Sequence, residues 1–308
     1  MQQKSLIIMN PVAGVKKPNK HLAEILSIFC ENGYECHVQM TTPTENADTI
    51  VEKYAHDKDV IVCIGGDGTF NETVSGLINA KLKPKLAYIP SGSTNDFATG
   101  LGISHTPVKA AKDIISGTAR DLDVGSFNGR IFVYTASFGI FTKTSYNTPR
   151  DLKNSLGYLA YVLEGSKEIL DMKPFHIKIK SENHETEGDY VYGGICNSKQ
   201  IGGGIVRFED GAIDMNDGLL EVILVKFPKN PAELVKLLGD LNMGNYKSNM
   251  FEFFSANEIE ISTDDEIDWT LDGEYQKGSN NITIRNIHSA ISLIINDKNN
   301  KKLSEKGN

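Results

Sequence analysis

The stretch VIVCIGGDGTF, residues 60–70, decides the fold of this chain of 308 residues. Its first five residues are all apolar, which predicts a short strand buried on both faces. Three glycines follow within four positions, and Phe70, Val74 and Leu77 then recur at helical spacing. A buried strand, a glycine-rich turn and a helix in this order form the core of a βαβ unit. The stretch therefore predicts an α/β domain with a mostly parallel sheet.

The same alternation of strands and helices runs through the first third of the chain. Apolar runs predict strands at residues 6–9, 34–40 and 86–89, and helical spacing predicts helices at residues 22–29 and 45–56. We therefore expect a Rossmann-like α/β domain over residues 1–125.

After residue 121 the pattern changes to many short segments of alternating polarity with few helices. Strands are predicted at residues 124–128, 131–138, 175–180, 189–196, 219–225, 258–262, 267–271, 282–287 and 291–295. A helix is predicted at residues 156–170, and residues 297–308 are predicted to be a frayed polar end. Such a pattern favours an antiparallel sandwich or barrel over residues 126–290.

The composition excludes several classes of protein. The chain has 40 acidic and 32 basic residues, and its net charge of −8 argues against a nucleic acid partner, because binding to phosphate backbones needs clustered cations. Its four cysteines form no CxxC pair, which indicates reduced thiols in a cytoplasmic protein. No apolar stretch approaches 18 residues, so we expect no transmembrane segment and only peripheral membrane contact.

The sequence Gly65-Gly66-Asp67-Gly68-Thr69 predicts a phosphate-binding turn. Glycines let the backbone approach a ligand, and the N–H groups and dipole at the start of a helix attract an anion. An acid at the centre of such a turn indicates a Mg²⁺ ion between Asp67 and the phosphates. The simpler interpretation is that Asp67 or Thr69 only caps the helix.

Two further loops and one threonine follow neighbouring strands of the predicted sheet. Residues 10–14 follow the first strand, Thr41 follows the second, and residues 91–96 follow the fourth. Because the carboxyl ends of parallel strands share one edge, these segments predict a nucleotide-binding cleft. A turn or a helix cap is the simpler use of residues 91–96 and of Thr41.

Acidic residues are concentrated between positions 264 and 274. Residues 264–266 are interpreted as a solvated face. Asp272-Gly273-Glu274 lies at the end of a predicted strand, where the glycine indicates close approach by another group and Glu274 continues the polar side. The two carboxylates can supply a general base or hold a cation. Residues 214–219 fit either a plain turn or a site for Mg²⁺ or Ca²⁺.

Four motifs in series resemble the soluble bacterial diacylglycerol kinases and the wider lipid kinase family. They are Asn10-Pro11, GGDGTFNE at 65–72, SGSTNDFA at 91–98 and LDGE at 271–274. The resemblance covers nearly the whole chain, although GGDGT alone is shared with NAD kinases. It implies an N-terminal nucleotide domain to which the chain end, residues 290–308, returns. It also implies a C-terminal β-sandwich for the lipid substrate and an active site between the two domains.

The resemblance also implies ATP and Mg²⁺ as cofactors and gives roles to single residues. Catalytic roles fall on Asp67, Asp272 and Glu274, with Glu274 as the usual proton acceptor and Asp272 as its rival. A structural Mg²⁺ is expected at Asp217, with Asp214 and Leu219. The predicted nucleotide-binding residues are Asn10, Pro11, Gly14, Thr41, Gly65, Gly66, Asp67, Gly68, Thr69, Asn71, Glu72, Ser93, Thr94 and Asp96.

The expected reaction is transfer of the γ-phosphoryl group of ATP to a lipid hydroxyl. Diacylglycerol is the first acceptor, and phosphatidylglycerol or a sphingoid base is the alternative. An NAD kinase and a non-catalytic nucleotide or lipid sensor are the other hypotheses. The resemblance further implies a cytoplasmic protein that contacts the inner membrane surface transiently and forms a homodimer.

Overall fold

The computed structural model describes residues 2–14, 18–139, 173–197, 200–201, 206–207, 214–243 and 245–296. The chain divides into two compact units, residues 1–124 with 288–308 and residues 125–287. The predicted helix at residues 156–170 and the predicted polar end at 297–308 lie outside the described residues. The nucleotide and lipid roles expected of the two domains stay predictions.

The first unit alternates strands and helices. Its elements are β1 (Gln3–Met9), α1 (Leu22–Glu31), β2 (Tyr34–Met40), α2 (Ala47–Tyr54), β3 (Val60–Gly65), α3 (Asp67–Asn79), β4 (Lys85–Pro90), α4 (Asp96–Gly100), α5 (Pro107–Ile115) and most of β5 (Thr118–Phe127). Every residue of β3 is buried, because apolar helices cover both faces of the sheet.

The second unit is built mainly of antiparallel strands. Its elements are β6 (Arg130–Phe132), β7 (Thr135–Gly139), β8 (Phe175–Lys180), β9 (Glu185–Cys196), β10 (Gln200–Ile201), β11 (Val206–Arg207), β12 (Leu220–Lys226), α6 (Pro231–Met243), β13 (Phe251–Ala256), β14 (Glu258–Thr263), β15 (Trp269–Leu271), β16 (Glu274–Gln276) and the first part of β17 (Asn281–Ile295). The end of β17 belongs to the first unit.

The pairing of strands confirms the predicted fold class. In the first unit the order is β2-β1-β3-β4-β17, with parallel pairing throughout. In the second unit the order is β16-β15-β7-β9-β8-β14-β17, with antiparallel pairing, and β12 joins β9 to β13. Among the residues that the structure describes, no helix is long and apolar enough to cross a bilayer.

Some predicted elements differ from those observed. The predicted strand at residues 131–138 is two strands, because the backbone leaves the sheet at Val133 and Tyr134 to bond a buried carboxylate. The predicted strands at 282–287 and 291–295 are one continuous strand, β17. The helices α4, α5 and α6 and the strand β13 were not predicted.

Candidate active site

Three loops pack against one another at the carboxyl edge of the parallel sheet in the first unit. The N–H of Asn10 donates to the carbonyl of Ile64 at 2.9 Å, and the N–H of Ser91 donates to the carbonyl of Gly65 at 2.7 Å. The side-chain amide of Asn10 also donates to the hydroxyl of Thr69 at 3.1 Å. The loops after β1, β3 and β4 therefore meet at one edge, as the strand order predicts.

Glycines let these loops approach each other without intervening side chains. A Cβ atom built on Gly92 would lie 2.6 Å from the Cα of Gly66, and one built on Gly14 would lie 2.3 Å from the carbonyl oxygen of Ser91. Gly14 also has a φ of 58°, a conformation that side chains disfavour. The result is a cradle of backbone groups beside the start of α3, whose chemistry fits the phosphates of a nucleotide.

The Gly92→Ala variant tests this close packing. A methyl group at position 92 would also lie 2.7 Å from the amide oxygen of Asn95, so the loops must move apart. We expect a loss of stability of about 1–3 kcal/mol and weaker ATP binding. Thermal unfolding and calorimetric titration with ATP measure the two effects. Gly239→Ala is the control, because its added Cβ meets nothing within 4 Å; equal ATP affinity in the two variants would contradict the prediction.

Asn95 organises the third loop, and the sequence analysis missed it. Its backbone is left-handed, with a φ of 55°, and the residue is 2% exposed. The amide oxygen accepts the N–H of Gly92 at 2.8 Å, and the amide nitrogen donates to the carbonyl of Gly92 at 3.0 Å. Asparagine adopts left-handed backbone more readily than most residues, so an asparagine within residues 91–98 was a signal for a tight turn at this position. Ser93 and Thr94, which were predicted instead, are exposed.

Asp67 is the first residue of α3. The N-cap position is held by Gly66, so neither Asp67 nor Thr69 occupies it. One oxygen of Asp67 accepts the N–H of Asp96 at 3.0 Å, and the other lies 3.5 Å from the hydroxyl of Tyr88. Burial, and then the charge of Asp67, raise the pKa of Tyr88, so its hydroxyl stays protonated beside the carboxylate.

The other residues that were predicted to bind the nucleotide lie on several elements of the first unit. The N–H of Thr41 donates to the carbonyl of Met9 at 2.9 Å, which places Thr41 at the same sheet edge. Pro11 is partly exposed. Asn71 and Glu72 lie further along α3, where Glu72 accepts the N–H of Ala47 at the start of α2 at 3.1 Å. A nucleotide contact by Asn71 or Glu72 stays a prediction.

The LDGE motif of the second unit forms a tight hairpin between β15 and β16. Leu271 pairs with Glu274 across the turn, and Asp272 and Gly273 have φ values of 49° and 85°. Two successive positive φ values are typical of the two-residue turn that joins twisted antiparallel strands. Glu274 therefore lies on a new strand, β16, across the turn from the strand whose polar side it was predicted to continue. Gly273 is required by its backbone conformation, since the nearest atom to an added Cβ is 4.0 Å away.

The carboxylate of Asp272 is buried and holds a neighbouring segment of backbone. One oxygen accepts the N–H of Val133 at 2.6 Å, and the other accepts the N–H groups of Tyr134 and Thr135, each at 3.0 Å. The side chain is 7% exposed. These bonds fix the position of the hairpin that carries Glu274 and give Asp272 a structural role in the second unit.

The Asp272→Asn variant isolates the contribution of this carboxylate. Asparagine tolerates the left-handed backbone, but its amide presents a donor to N–H groups that need an acceptor. We expect the free energy of unfolding to fall by about 2–3 kcal/mol, measured by urea denaturation. Asp265→Asn, at an exposed position, is the control. A loss below about 0.5 kcal/mol would show that the three bonds do not stabilise the fold.

Glu274 is exposed and is held by Arg130, a residue that the sequence analysis missed. The guanidinium of Arg130 donates to Glu274 at 2.9 Å, to the side chain of Gln276 at 2.9 Å and to the carbonyl of Tyr275 at 3.2 Å. The Glu274 side chain is 58% exposed and the Arg130 side chain 41%. The planar guanidinium of Arg130 therefore holds all three residues of β16 while Glu274 stays accessible.

The predicted structural metal site lies in a short turn of the second unit. One oxygen of Asp214 accepts the N–H of Asn216 at 3.1 Å, and one oxygen of Asp217 accepts the N–H of Leu219 at 2.9 Å. These bonds are typical of turns that begin with aspartate. The other oxygen of Asp217 and the backbone carbonyls of Asp214 and Leu219 are ligands that Mg²⁺ prefers, so a metal there stays a prediction.

Comparison with known families matches both units. Residues 4–127 match the model of the diacylglycerol kinase catalytic domain. Residues 137–295 match the model of the YegS C-terminal NAD kinase beta sandwich-like domain. The fold and the two matches together define an enzyme of the lipid kinase class.

Individual relatives agree with the family models. A diacylglycerol kinase of Bacillus subtilis (strain 168) is 34% identical over 278 residues, which is 89% of this chain and 90% of the relative. One of Staphylococcus aureus (strain MRSA252) is 31% identical over 281 residues, 89% of this chain and 87% of the relative. A crystal structure described as a diacylglycerol kinase from Bacillus anthracis str. Sterne has a TM-score of 0.78 and 25% identity, and covers 96% of this chain and 98% of that one.

The chain therefore belongs to the diacylglycerol kinase family, which confirms the resemblance found in the motifs. Family membership confirms the predicted enzyme class, a kinase that phosphorylates a lipid alcohol, and implies ATP as the phosphoryl donor.

Proposed function

We propose that this protein transfers the γ-phosphoryl group of ATP to the free hydroxyl of diacylglycerol and so forms phosphatidic acid. The observation that carries the proposal is the glycine-lined cradle beside Asp67, in a chain whose 34% identical relative is named a diacylglycerol kinase. We further propose that the enzyme is cytoplasmic and reaches its lipid at the inner membrane surface.

The phosphates of ATP would be held by backbone groups of the three loops. The start of α3 supplies N–H groups and the positive end of a helix dipole, and the loops at residues 10–14 and 91–96 close the cradle. Phosphoryl transfer depends on positioning and charge neutralisation more than on covalent chemistry. The rigid packing of Gly66 against Gly92 supports this positioning role.

Asp67 would hold Mg²⁺ beside this cradle. Its carboxylate is fixed by the N–H of Asp96 and lies next to the protonated hydroxyl of Tyr88. Oxygen ligands of this kind suit Mg²⁺. When bound, Mg²⁺ neutralises negative charge on the phosphate oxygens.

Glu274 would accept the proton of the lipid hydroxyl. Both oxygens of Asp272 are engaged by backbone N–H groups, which favours a structural role for Asp272. Glu274 is exposed and is oriented by Arg130. We therefore assign the general base to Glu274 and the support of its hairpin to Asp272.

The Arg130→Ala variant tests whether Arg130 positions Glu274. We expect kcat to fall about tenfold with the KM for ATP unchanged, because only the orientation of the base is lost. In a Glu274→Gln background the same change should have no further effect on kcat. Arg285→Ala is the matched control, since Arg285 also pairs with an exposed glutamate, Glu258, at 2.9 Å. Additive losses in the double variant would contradict a shared role.

The proposed reaction is tested directly with purified protein, labelled ATP and Mg²⁺ in mixed micelles. The acceptors are diacylglycerol, phosphatidylglycerol and sphingosine, with NAD as a water-soluble acceptor. We expect labelled phosphatidic acid as the main product. Labelled NADP, formed by transfer of the γ-phosphoryl group to NAD, would identify an NAD kinase, and ATP binding without release of ADP would identify a sensor. Either result would refute the proposal.

The predicted homodimer is tested separately, by size-exclusion chromatography with light scattering.

A further inference from the structure

Helix α6 has two faces of different character. On its inner face Leu237 and Leu241 are buried in a cluster with Val225 of β12 and Phe251 of β13. On its outer face Val235 is 70% exposed and Met243 is 83% exposed. Within the described part of the chain, the inner face is buried against β12 and β13, whereas Val235 and Met243 on the outer face stay exposed.

Ala232, Val235 and Met243 of α6 are exposed, and Gly239 between them is half-buried. At 100° per residue, Ala232, Val235, Gly239 and Met243 fall within a sector about 80° wide, and they extend for about 16 Å along the helix. A Cβ atom added to Gly239 would meet nothing within 4 Å, so the centre of the sector is open. We call these four residues the α6 outer stripe.

The charges around the α6 outer stripe are mainly positive. Lys236 lies beside Val235 on the helix, Lys229 precedes the helix and Lys247 follows it, and all three are exposed. The ammonium of Lys236 also donates to the side-chain amide oxygen of Asn249. The nearby acids are less accessible: Asp240 is 9% exposed, and Glu233 is partly buried and accepts the N–H of Lys229 at 2.7 Å. Three exposed lysines on or next to this helix can attract an anionic surface, although the chain has a net charge of −8.

We propose that the α6 outer stripe docks the enzyme on an anionic lipid bilayer. Apolar side chains flanked by lysines on one helix face are typical of helices that lie in a membrane interface. Two large apolar side chains offer too little area for a stable protein interface, which needs about 800 Å² on each partner. The inference rests on the proposed function, because a lipid acceptor brings the enzyme to a membrane surface.

Vesicle binding tests the proposal. The probes are vesicles of phosphatidylcholine with 30–40% phosphatidylglycerol (roughly the anionic content that attracts basic segments) and vesicles of phosphatidylcholine alone. The variants are Val235→Ser/Met243→Ser and Lys236→Glu. Lys112→Glu is the matched control, because Lys112 is an exposed helical lysine of α5. Each protein is also assayed with diacylglycerol in vesicles and with a short-chain diacylglycerol below its micelle concentration.

We expect both stripe variants to bind anionic vesicles at least about tenfold more weakly than the wild type and the control. Their activity on vesicles should fall to match, while their activity on monomeric diacylglycerol is unchanged. Wild-type vesicle binding in both variants would overturn the proposal, as would a loss of dimer with unchanged vesicle binding, which would identify the stripe as an interface between copies. If no protein phosphorylates diacylglycerol in either form, the proposed function fails, and vesicle binding still decides the docking surface.

Discussion

Replacing Asp67 by asparagine is expected to lower kcat by about three orders of magnitude while the fold is retained. Asparagine keeps the size of the side chain and an oxygen to accept the N–H of Asp96, now 3.0 Å from Asp67. It removes the negative charge that would hold Mg²⁺ beside the phosphates. The steady-state rate of phosphatidic acid formation at saturating ATP and Mg²⁺ measures the effect, and circular dichroism checks the fold.

Asp59→Asn is the matched control for this experiment. Asp59 also accepts a backbone N–H, that of Lys4 at 2.8 Å. Asp59 lies just before β3, at the end of the strand opposite to the glycine-lined cradle, whereas Asp67 lies just after β3. We expect the Asp59 variant to keep a wild-type kcat. A kcat for Asp67→Asn within about tenfold of the wild type would show that the charge of Asp67 is not needed for phosphoryl transfer.

Replacing Glu274 by glutamine is expected to lower kcat by about two to four orders of magnitude, the usual contribution of a general base. Glutamine cannot accept the proton of the lipid hydroxyl, although its amide oxygen can still accept a hydrogen bond from Arg130, which lies 2.9 Å from Glu274. The affinity for ATP, measured by calorimetry, should not change, because the loss is confined to the chemical step.

Glu258→Gln is the control for Glu274, since both glutamates are exposed and pair with an arginine at 2.9 Å. If Asp272→Ala loses all activity while Glu274→Gln retains it, and both variants fold, the assignment of the base to Glu274 is wrong. The stability of the Asp272 variant must then be measured too, because its carboxylate bonds three backbone N–H groups.

Much of the fold could be predicted because several strands are continuous apolar runs bounded by turn residues. The wholly apolar β3 and the glycine-rich turn after it fixed the parallel sheet, and the observed bounds of β2 equal the predicted ones. Helix α6 was missed because its apolar residues lie on both faces. Val235 and Met243 on the outer face blur the periodicity that Leu237 and Leu241 create on the inner one.

The candidate site was predicted where its residues belong to one motif or follow strands of the same parallel sheet. The loops after β1, β3 and β4 follow from the sharing of one edge by parallel strands. Arg130 and Glu274 are 144 positions apart, so no local pattern links them. Asp272-Gly273-Glu274 was placed at the end of a strand and the hairpin was missed, although an Asp-Gly pair is a strong signal for a two-residue hairpin.

A crystal structure with Mg²⁺ and a non-hydrolysable ATP analogue tests the central claim most directly. The account predicts phosphate oxygens within hydrogen-bond distance of the N–H groups at residues 66–69, and Mg²⁺ beside the carboxylate of Asp67. Phosphates bound elsewhere on the protein, with the glycine-lined cradle empty at saturating nucleotide, would contradict it.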